Sequence, residues 1–365
     1  MVCKLEKKEI EKINPSNILP QTAYWARVKD KQGFQPSGFQ LTVSKDLLYN
    51  NSDSKNTQDD LLVLIKYISS DLCYAYVPHG PKLEPILENQ GLFLEQLSET
   101  IKPYLPVNCV FIRYDLLWQN QWAIEDDYFD TSGHWQGPPQ DQVQEMRVNY
   151  KTHHWNLRKS TSDMLPKNTF FLDLTQSENE LMSNMRYNTR YCIKKAIKHG
   201  IQVKEYGVEH ISEWYKLYHE TALRHGMPLQ DEKHFADILK NQDNSHKGVN
   251  VKMLMADIDG KYMASMFLVS SHRRGNYLYG ASSTNNRMAS YVLQWESIKI
   301  AKSMGCTEYD MFGSAPNIDN AHPLHGVHIY KKGFGGDLHH RMGCWDYPYS
   351  QQEYDLFRLQ ELGNN

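Results

Sequence analysis

The sequence has no apolar run near the roughly 18 residues that a membrane-crossing helix needs. Its first residues, MVCKLEKKEIEKI, are charged and lack the apolar segment of a secretory leader. A cytoplasmic protein with no spanning segment is therefore expected. Neither GxxxxGK(S/T) nor GxGxxG occurs, so nucleotide hydrolysis and dinucleotide chemistry have no support and no cofactor is expected. The six cysteines (Cys3, Cys73, Cys109, Cys192, Cys306, Cys344) form no CxxC pair, which predicts reduced, mostly buried thiols. Neither sign of charge dominates: 40 Lys and Arg stand against 43 Asp and Glu, for a net charge of −3. That balance argues against a constitutive nucleic-acid binder, yet leaves room for a local basic patch. Histidines His322, His325 and His328 recur every three residues, and His339-His340 follow. Pro323 and Gly326 should break any helix that would align them, and no cysteine or acid completes a ligand set, so no metal is expected.

What is present is length and aromatic character. At 365 residues two domains are the default expectation, and 23 tyrosines can line polar clefts as well as cores. Two segments share a layout. In the first, LLVLIKYI and LCYAYVPHG read as paired strands. A Gly80-Pro81 bend, a helix around Leu92–Leu105 and the strand Cys109–Asp115 follow. In the second, VKMLMADI and MASMFLVSS flank an Asp259-Gly260 hairpin turn, and NYLYGAS follows a turn at Arg274-Gly275. Then come a helix over Ser290–Met304, stopped by Gly305, and the strand CTEYDMF. A duplicated fold is expected. Between the copies, Trp118 to Lys167 is polar but rich in tryptophan, which predicts a segment folded over a neighbour.

From Met185 to Gly200 the chain carries five Lys and Arg and no acid. On a helix Arg186, Arg190, Lys194 and Lys198 form one drifting stripe, with Met185, Ile193, Ala196 and Ile197 opposite. Unanswered repulsion at i,i+4 suggests an anionic partner; a plain solvated face is the alternative.

The most specific stretch runs from Tyr277 to Gly336. It holds Tyr279-Gly280-Ala281-Ser282, Ser290-Tyr291-x-Leu293-x-Trp295, Tyr309-Asp310-x-Phe312-Gly313 and Tyr330-Lys331-Lys332-Gly333-Phe334-Gly335. Lys331 and Lys332 read here as part of a glycine-rich turn. Together these motifs resemble the FemABX family, which transfers an amino acid from aminoacyl-tRNA to the side chain of a peptidoglycan precursor.

The resemblance implies an α/β fold of two tandem acetyltransferase-like (GNAT) domains, mixed sheets flanked by helices. Residues 1–168 would form the first, with an insertion at 118–167 and completion by 333–365, and 169–332 the second. It implies an aminoacyltransferase whose partners are aminoacyl-tRNA and UDP-MurNAc-pentapeptide or a lipid-linked precursor. The soluble acceptor is favoured because no charged helical-hairpin arm occurs. By the same match Lys331, beside Tyr330, would stabilise charge during transfer, although Tyr330 stands where the family usually has Phe. Asp115 matches an aspartate near the acceptor amine. Asp115 and Asp310 are candidate bases, with strand-end capping as the alternative for both. Lys29, Arg224, Tyr279 and Tyr218 resemble residues that grip the precursor, and Arg186, Arg190, Lys194 and Lys198 would meet tRNA. Two rival readings remain: a CoA-dependent N-acyltransferase, which the missing glycines of NNRMASYVLQ oppose, and a non-catalytic tRNA or sugar-nucleotide binder.

Overall fold

The computed structural model describes residues 3–50, 55–240, 248–286 and 288–364. The chain divides into two compact units, one of Met1–Asn14, Pro20–Lys167 and His340–Asn365, the other of Pro15–Leu19 and Asn168–His339.

In the first unit β1 (Cys3–Lys8), β2 (Phe34–Ser44), β3 (Asn56–Tyr67) and β4 (Cys73–Val77) are antiparallel neighbours. β5 (Cys109–Gln119) joins β4 in parallel after the helix Gln90–Ile101. The last strand, Asp337–Pro348, runs antiparallel to β5 from Arg341↔Gln119 to Pro348↔Phe111, and the short β6 (Arg158–Lys159) pairs with it at Trp345 and Asp346. β3 buries Leu61 to Ile65 without alternation, as a strand covered on both faces should. Its core partners include Phe93, Leu97, Ile112, Tyr114 and Trp345.

The tryptophan-rich segment is folded as expected for Trp118, Trp122 and Trp135, all buried, with the Trp135 indole donating to the Trp122 carbonyl at 2.9 Å. Trp155 differs and is half exposed. Beneath this segment lies a buried charge network. Arg113 donates to both oxygens of Asp346 at 2.7 and 2.8 Å, and to Glu361 of the helix Gln351–Asn364 at 2.7 Å. Tyr354 donates to Asp346, and Thr161 and Ser162 donate to Glu361, so the lone pairs are satisfied.

The second unit repeats the order. β8 (Gln202–Tyr206), β9 (Asn250–Ile258), β10 (Lys261–Ser271) and β11 (Arg274–Ser282) are antiparallel neighbours. β12 (Glu308–Asp310) joins β11 in parallel after the helix Ala289–Ser303, and β7 (Asn168–Asp173) runs antiparallel to β12. The repeat is real but offset by one strand from the sequence layout: β3 and β4 correspond to β10 and β11, not to β9 and β10. Asp259 and Gly260 form their turn with φ of 50° and 75°, as a tight hairpin of this type demands. The next turn is His272-Arg273, with Ser271 facing Arg274. Gly275 is therefore inside β11, where a Cβ would come 2.9 Å from that of Ala301. All six cysteines are free thiols, five of them buried. Among the described residues no helix is long and apolar enough to cross a membrane.

Without Asp346, Arg113 keeps Glu361 but its buried Nε and the Tyr354 hydroxyl lose their acceptor, so Asp346→Leu should cost about 1–3 kcal/mol of unfolding free energy in urea titrations. A loss below about 1 kcal/mol would show that the network is dispensable.

Candidate active site

The site grows from the end of β12. After Asp310 the backbone takes positive φ at Phe312 (53°) and Gly313 (40°). Asp310 Oδ1 fixes this bend by accepting the Phe312 amide at 2.8 Å and the Thr169 hydroxyl. The strand-end capping reading of Asp310 is thus the one its contacts favour. The carbonyls of Phe312 and Gly313 accept from Lys331 Nζ, the latter at 2.6 Å. Lys331 is only 4% exposed, and its ammonium lies 5.1 Å from the centre of the Tyr277 ring. Burial depresses its pKa to about 7, against a smaller opposing effect of Asp310.

The expectation of a lysine turn is corrected by the backbone. Lys331 and Lys332 end a helix, His325–Lys332, which starts just past Pro323 and contains Gly326. One turn before Lys331, the buried His328 uses Nδ1 to bind the Ala315 carbonyl at 3.0 Å and the Ser314 hydroxyl at 3.2 Å. Two side chains of one helix therefore grip four consecutive residues, Phe312 to Ala315. Tyr330 donates its hydroxyl to the Ser290 carbonyl at 2.9 Å and meets Tyr291 and Phe334 edge-on. These contacts fix the ring against the helix Ala289–Ser303 and give the hydroxyl an acceptor. Among the described residues no cluster of three metal-ligating side chains occurs.

The basic helix spans Tyr187–Lys198 and abuts this helix end. The Arg186 amide donates to the Gly333 carbonyl at 2.9 Å, and a Cβ on Gly333 would fall 2.3 Å from the Thr189 hydroxyl. Arg186, Lys194 and Lys198 are exposed, as the stripe requires. Arg190 departs from it: its guanidinium donates to the carbonyls of Ser183 (3.0 Å) and Met185, capping the preceding turn. Ile197, expected inside, is 53% exposed.

β11 organises three more candidates. One extra residue sits between the pairs Phe267↔Leu278 and Ser265↔Ala281, and Tyr279 takes φ of 52°. This bulge turns Tyr279 away from the side of Tyr277 and onto Phe267 and Phe235. Tyr218 stacks on Trp214 and meets Phe235 at 4.6 Å, so it is a core ring, with its hydroxyl on the Pro228 carbonyl. Arg224, exposed at the end of the helix Ile211–His225, donates to the Ser282 carbonyl at 2.9 Å. Lys331, Tyr279 and Arg224 are thereby all referred to one strand.

Lys29 and Asp115 belong to the first unit. Lys29 Nζ lies 5.1 Å from the Trp25 ring and 5.6 Å from Phe34, with Lys66 4.8 Å from the same Phe34. Gln32 accepts from both ammoniums. Burial, then Lys66, lowers the Lys29 pKa to about 8. The sequence reading missed Lys66, although it lies on a strand that reading placed. Asp115 is buried in β5, and Oδ2 accepts from the Tyr76 hydroxyl (2.9 Å) and the Leu165 amide (3.1 Å). Burial raises its pKa to about 6 in spite of those donors.

A family model described as the FemAB family matches residues 6–261 and 250–361. The chain belongs to the FemAB family. Lipid II:glycine glycyltransferase of Staphylococcus epidermidis (strain ATCC 12228 / FDA PCI 1200) is 21% identical over 251 residues, 52% of this chain and 60% of that protein. Its counterpart in Staphylococcus haemolyticus (strain JCSC1435) is 31% identical over 100 residues, 27% of this chain and 24% of that protein. The chain thus spans well under the full length of the curated relatives it matches. Among solved structures, FemX superposes with a TM-score of 0.70 at 16% identity over 97% of this chain and all of that one. A tandem GNAT protein from the clavulanic acid biosynthesis pathway gives 0.51 at 10% identity, over 95% of this chain and 98% of that one. The fold is the expected pair of tandem acetyltransferase-like domains.

Lys331 makes a pH prediction. Its folded pKa, near 7, lies below its unfolded value, so between pH 7 and 10 the unfolded chain binds the extra proton. Wild-type unfolding free energy should rise relative to Lys331→Met as pH goes from 6 to 9, by up to a few kcal/mol. A pH-independent difference between the two would refute the shift.

Proposed function

We propose that the protein is an aminoacyltransferase that moves an amino acid from aminoacyl-tRNA to the side-chain amine of a peptidoglycan precursor stem peptide. The observation that carries this reading is the Lys331 ammonium, buried beside Tyr277 and held by two carbonyls at the end of β12. In the reaction the acceptor amine attacks the ester carbonyl, forming a C–N bond. The tetrahedral oxyanion then expels the ribose oxygen, and the amine proton ends on that oxygen. A preplaced cation in a dry cleft stabilises the negative charge at both stages. Family membership and the names of the curated relatives support the same class of chemistry.

Asp115 is our candidate for taking the amine proton. Burial makes it more basic than an ordinary aspartate, which suits that task. Lys29, with Lys66 beside it, and Arg224 are assigned to anionic groups of the precursor, because a guanidinium and paired ammoniums suit phosphate. Tyr279 and Tyr218 are assigned to the precursor with Arg224 within the second unit, Tyr218 from the core. Arg186, Lys194 and Lys198 are assigned to tRNA phosphates, with Arg190 supporting the helix from below. UDP-MurNAc-pentapeptide is the favoured acceptor, and a cytoplasmic location follows from charged tRNA as donor.

The deciding experiment incubates the protein with charged tRNAs and either UDP-MurNAc-pentapeptide or a lipid-linked precursor, with mass analysis of the product. A precursor heavier by one aminoacyl residue supports the reading; modification that requires an acyl-CoA instead would overturn it. Lys331→Ala should lower turnover by about 100-fold or more while leaving precursor affinity within several-fold. Near-normal turnover in that variant would remove Lys331 from the mechanism. Arg224→Ala and Lys29→Ala should each weaken precursor binding by about 1–3 kcal/mol in calorimetry. Unchanged affinity in both places the precursor elsewhere.

A further inference from the structure

The basic helix has a solvent face that its lysines share with two aromatic rings. Thr189, Ile193 and Ala196 point inward, exposed by 4%, 1% and 0%. At 3.6 residues per turn the line opposite them is Tyr187, Tyr191, Lys194 and Lys198, at i, i+4, i+7 and i+11. Tyr187 is 72% exposed and Tyr191 48%, although each ring could have been buried at a gain in stability. Lys195 Nζ lies 5.4 Å from the centre of the Tyr191 ring. From Met185 to Gly200 no carboxylate interrupts the face. Two rings followed by ammoniums form a surface on which bases stack while their phosphates are neutralised.

We propose that Tyr187 and Tyr191 form a stacking platform for unpaired nucleotides, specifically the single-stranded 3′ end of the donor tRNA. The proposal rests on the aminoacyl-tRNA reading and extends it from phosphate contacts to bases. A double helix presents phosphates outward and hides its base faces, so it would make use of the lysines but leave the rings idle. An unpaired end uses both. The two rings are four residues apart, about 6 Å along the helix axis, so successive bases can each meet one. The platform also leads to the chemistry. Tyr187 follows Arg186, whose amide is bonded to the carbonyl of Gly333 at 2.9 Å, directly past the helix that ends in Lys331 and Lys332. A strand lying along the rings toward the helix N-terminus approaches the Lys331 helix from its C-terminal end.

The test compares an intact tRNA with the same tRNA trimmed of its unpaired 3′ nucleotides, binding each to wild type and to Tyr187→Ala/Tyr191→Ala. Wild type should prefer the intact RNA by about 10-fold or more. The double variant should lose that preference, weakening intact tRNA by about 10–100-fold while binding the trimmed RNA as wild type does. Its salt slope should be unchanged, because no phosphate contact is removed. Tyr187→Phe/Tyr191→Phe should restore the preference, since stacking needs the ring and not the hydroxyl. The platform is overturned if the alanine variant keeps the preference, or if it weakens both RNAs equally. If wild type binds neither RNA, the tRNA reading itself falls with it. If wild type transfers an amino acid from charged tRNA and the alanine variant matches it, the platform alone falls.

Discussion

A buried ammonium must find acceptors or give up its proton, and the second unit is arranged around that requirement. Lys331 finds two carbonyls because Phe312 and Gly313 adopt positive φ, which rotates their peptide oxygens toward the helix His325–Lys332. The bend is kept by Asp310 at one end and by His328 at the other. Tyr277 closes the remaining side with a ring face, whose negative quadrupole tolerates a cation better than an aliphatic wall would. Strand end, bend and helix are thus one unit of structure, and moving any of them uncovers the charge. The cost is that burial disfavours the charged form of Lys331, so an anion that arrives would stabilise the ammonium.

Much of this was legible in advance. Strand runs such as LLVLIKYI, the Asp259-Gly260 hairpin and the helix stop at Gly305 are local signals, set by side-chain branching and by glycine's access to positive φ. The tandem fold followed from the motifs of the second half. What was not legible depends on long-range packing. Gly275 looked like a turn residue, but its small size serves the close approach of Ala301. Lys331 looked like a residue of an exposed turn, since nothing in HGVHIYKKGFGG says that the carbonyls of residues 312 and 313 will come to meet it. The offset of the repeat was hidden because each hairpin resembles the next until pairing partners are known.

The candidate site residues divide in a similar way. Types were readable, and the state of each was not. Arg190 has the spacing of the exposed stripe, yet its guanidinium caps a neighbouring turn. Tyr218 resembles a residue that grips the precursor, yet it is stacked in the core on Trp214. Tyr279 would share a face with Tyr277 in a regular strand, and the bulge separates them. In each case one backbone or packing event, invisible to periodicity, decides whether a side chain is free to act.

The route of the chain has a consequence for how the molecule is made. β5 needs the strand that follows His340 as its partner, with Asp115 facing Cys344, and Arg113 needs Asp346 and Glu361 to satisfy its guanidinium. During synthesis the early part of the first unit lacks these groups until after the second unit has been translated. The second unit, apart from Pro15–Leu19, is contiguous from Asn168 to His339 and can close before then. A nascent β5 therefore keeps an unpaired edge until the strand after His340 has been translated.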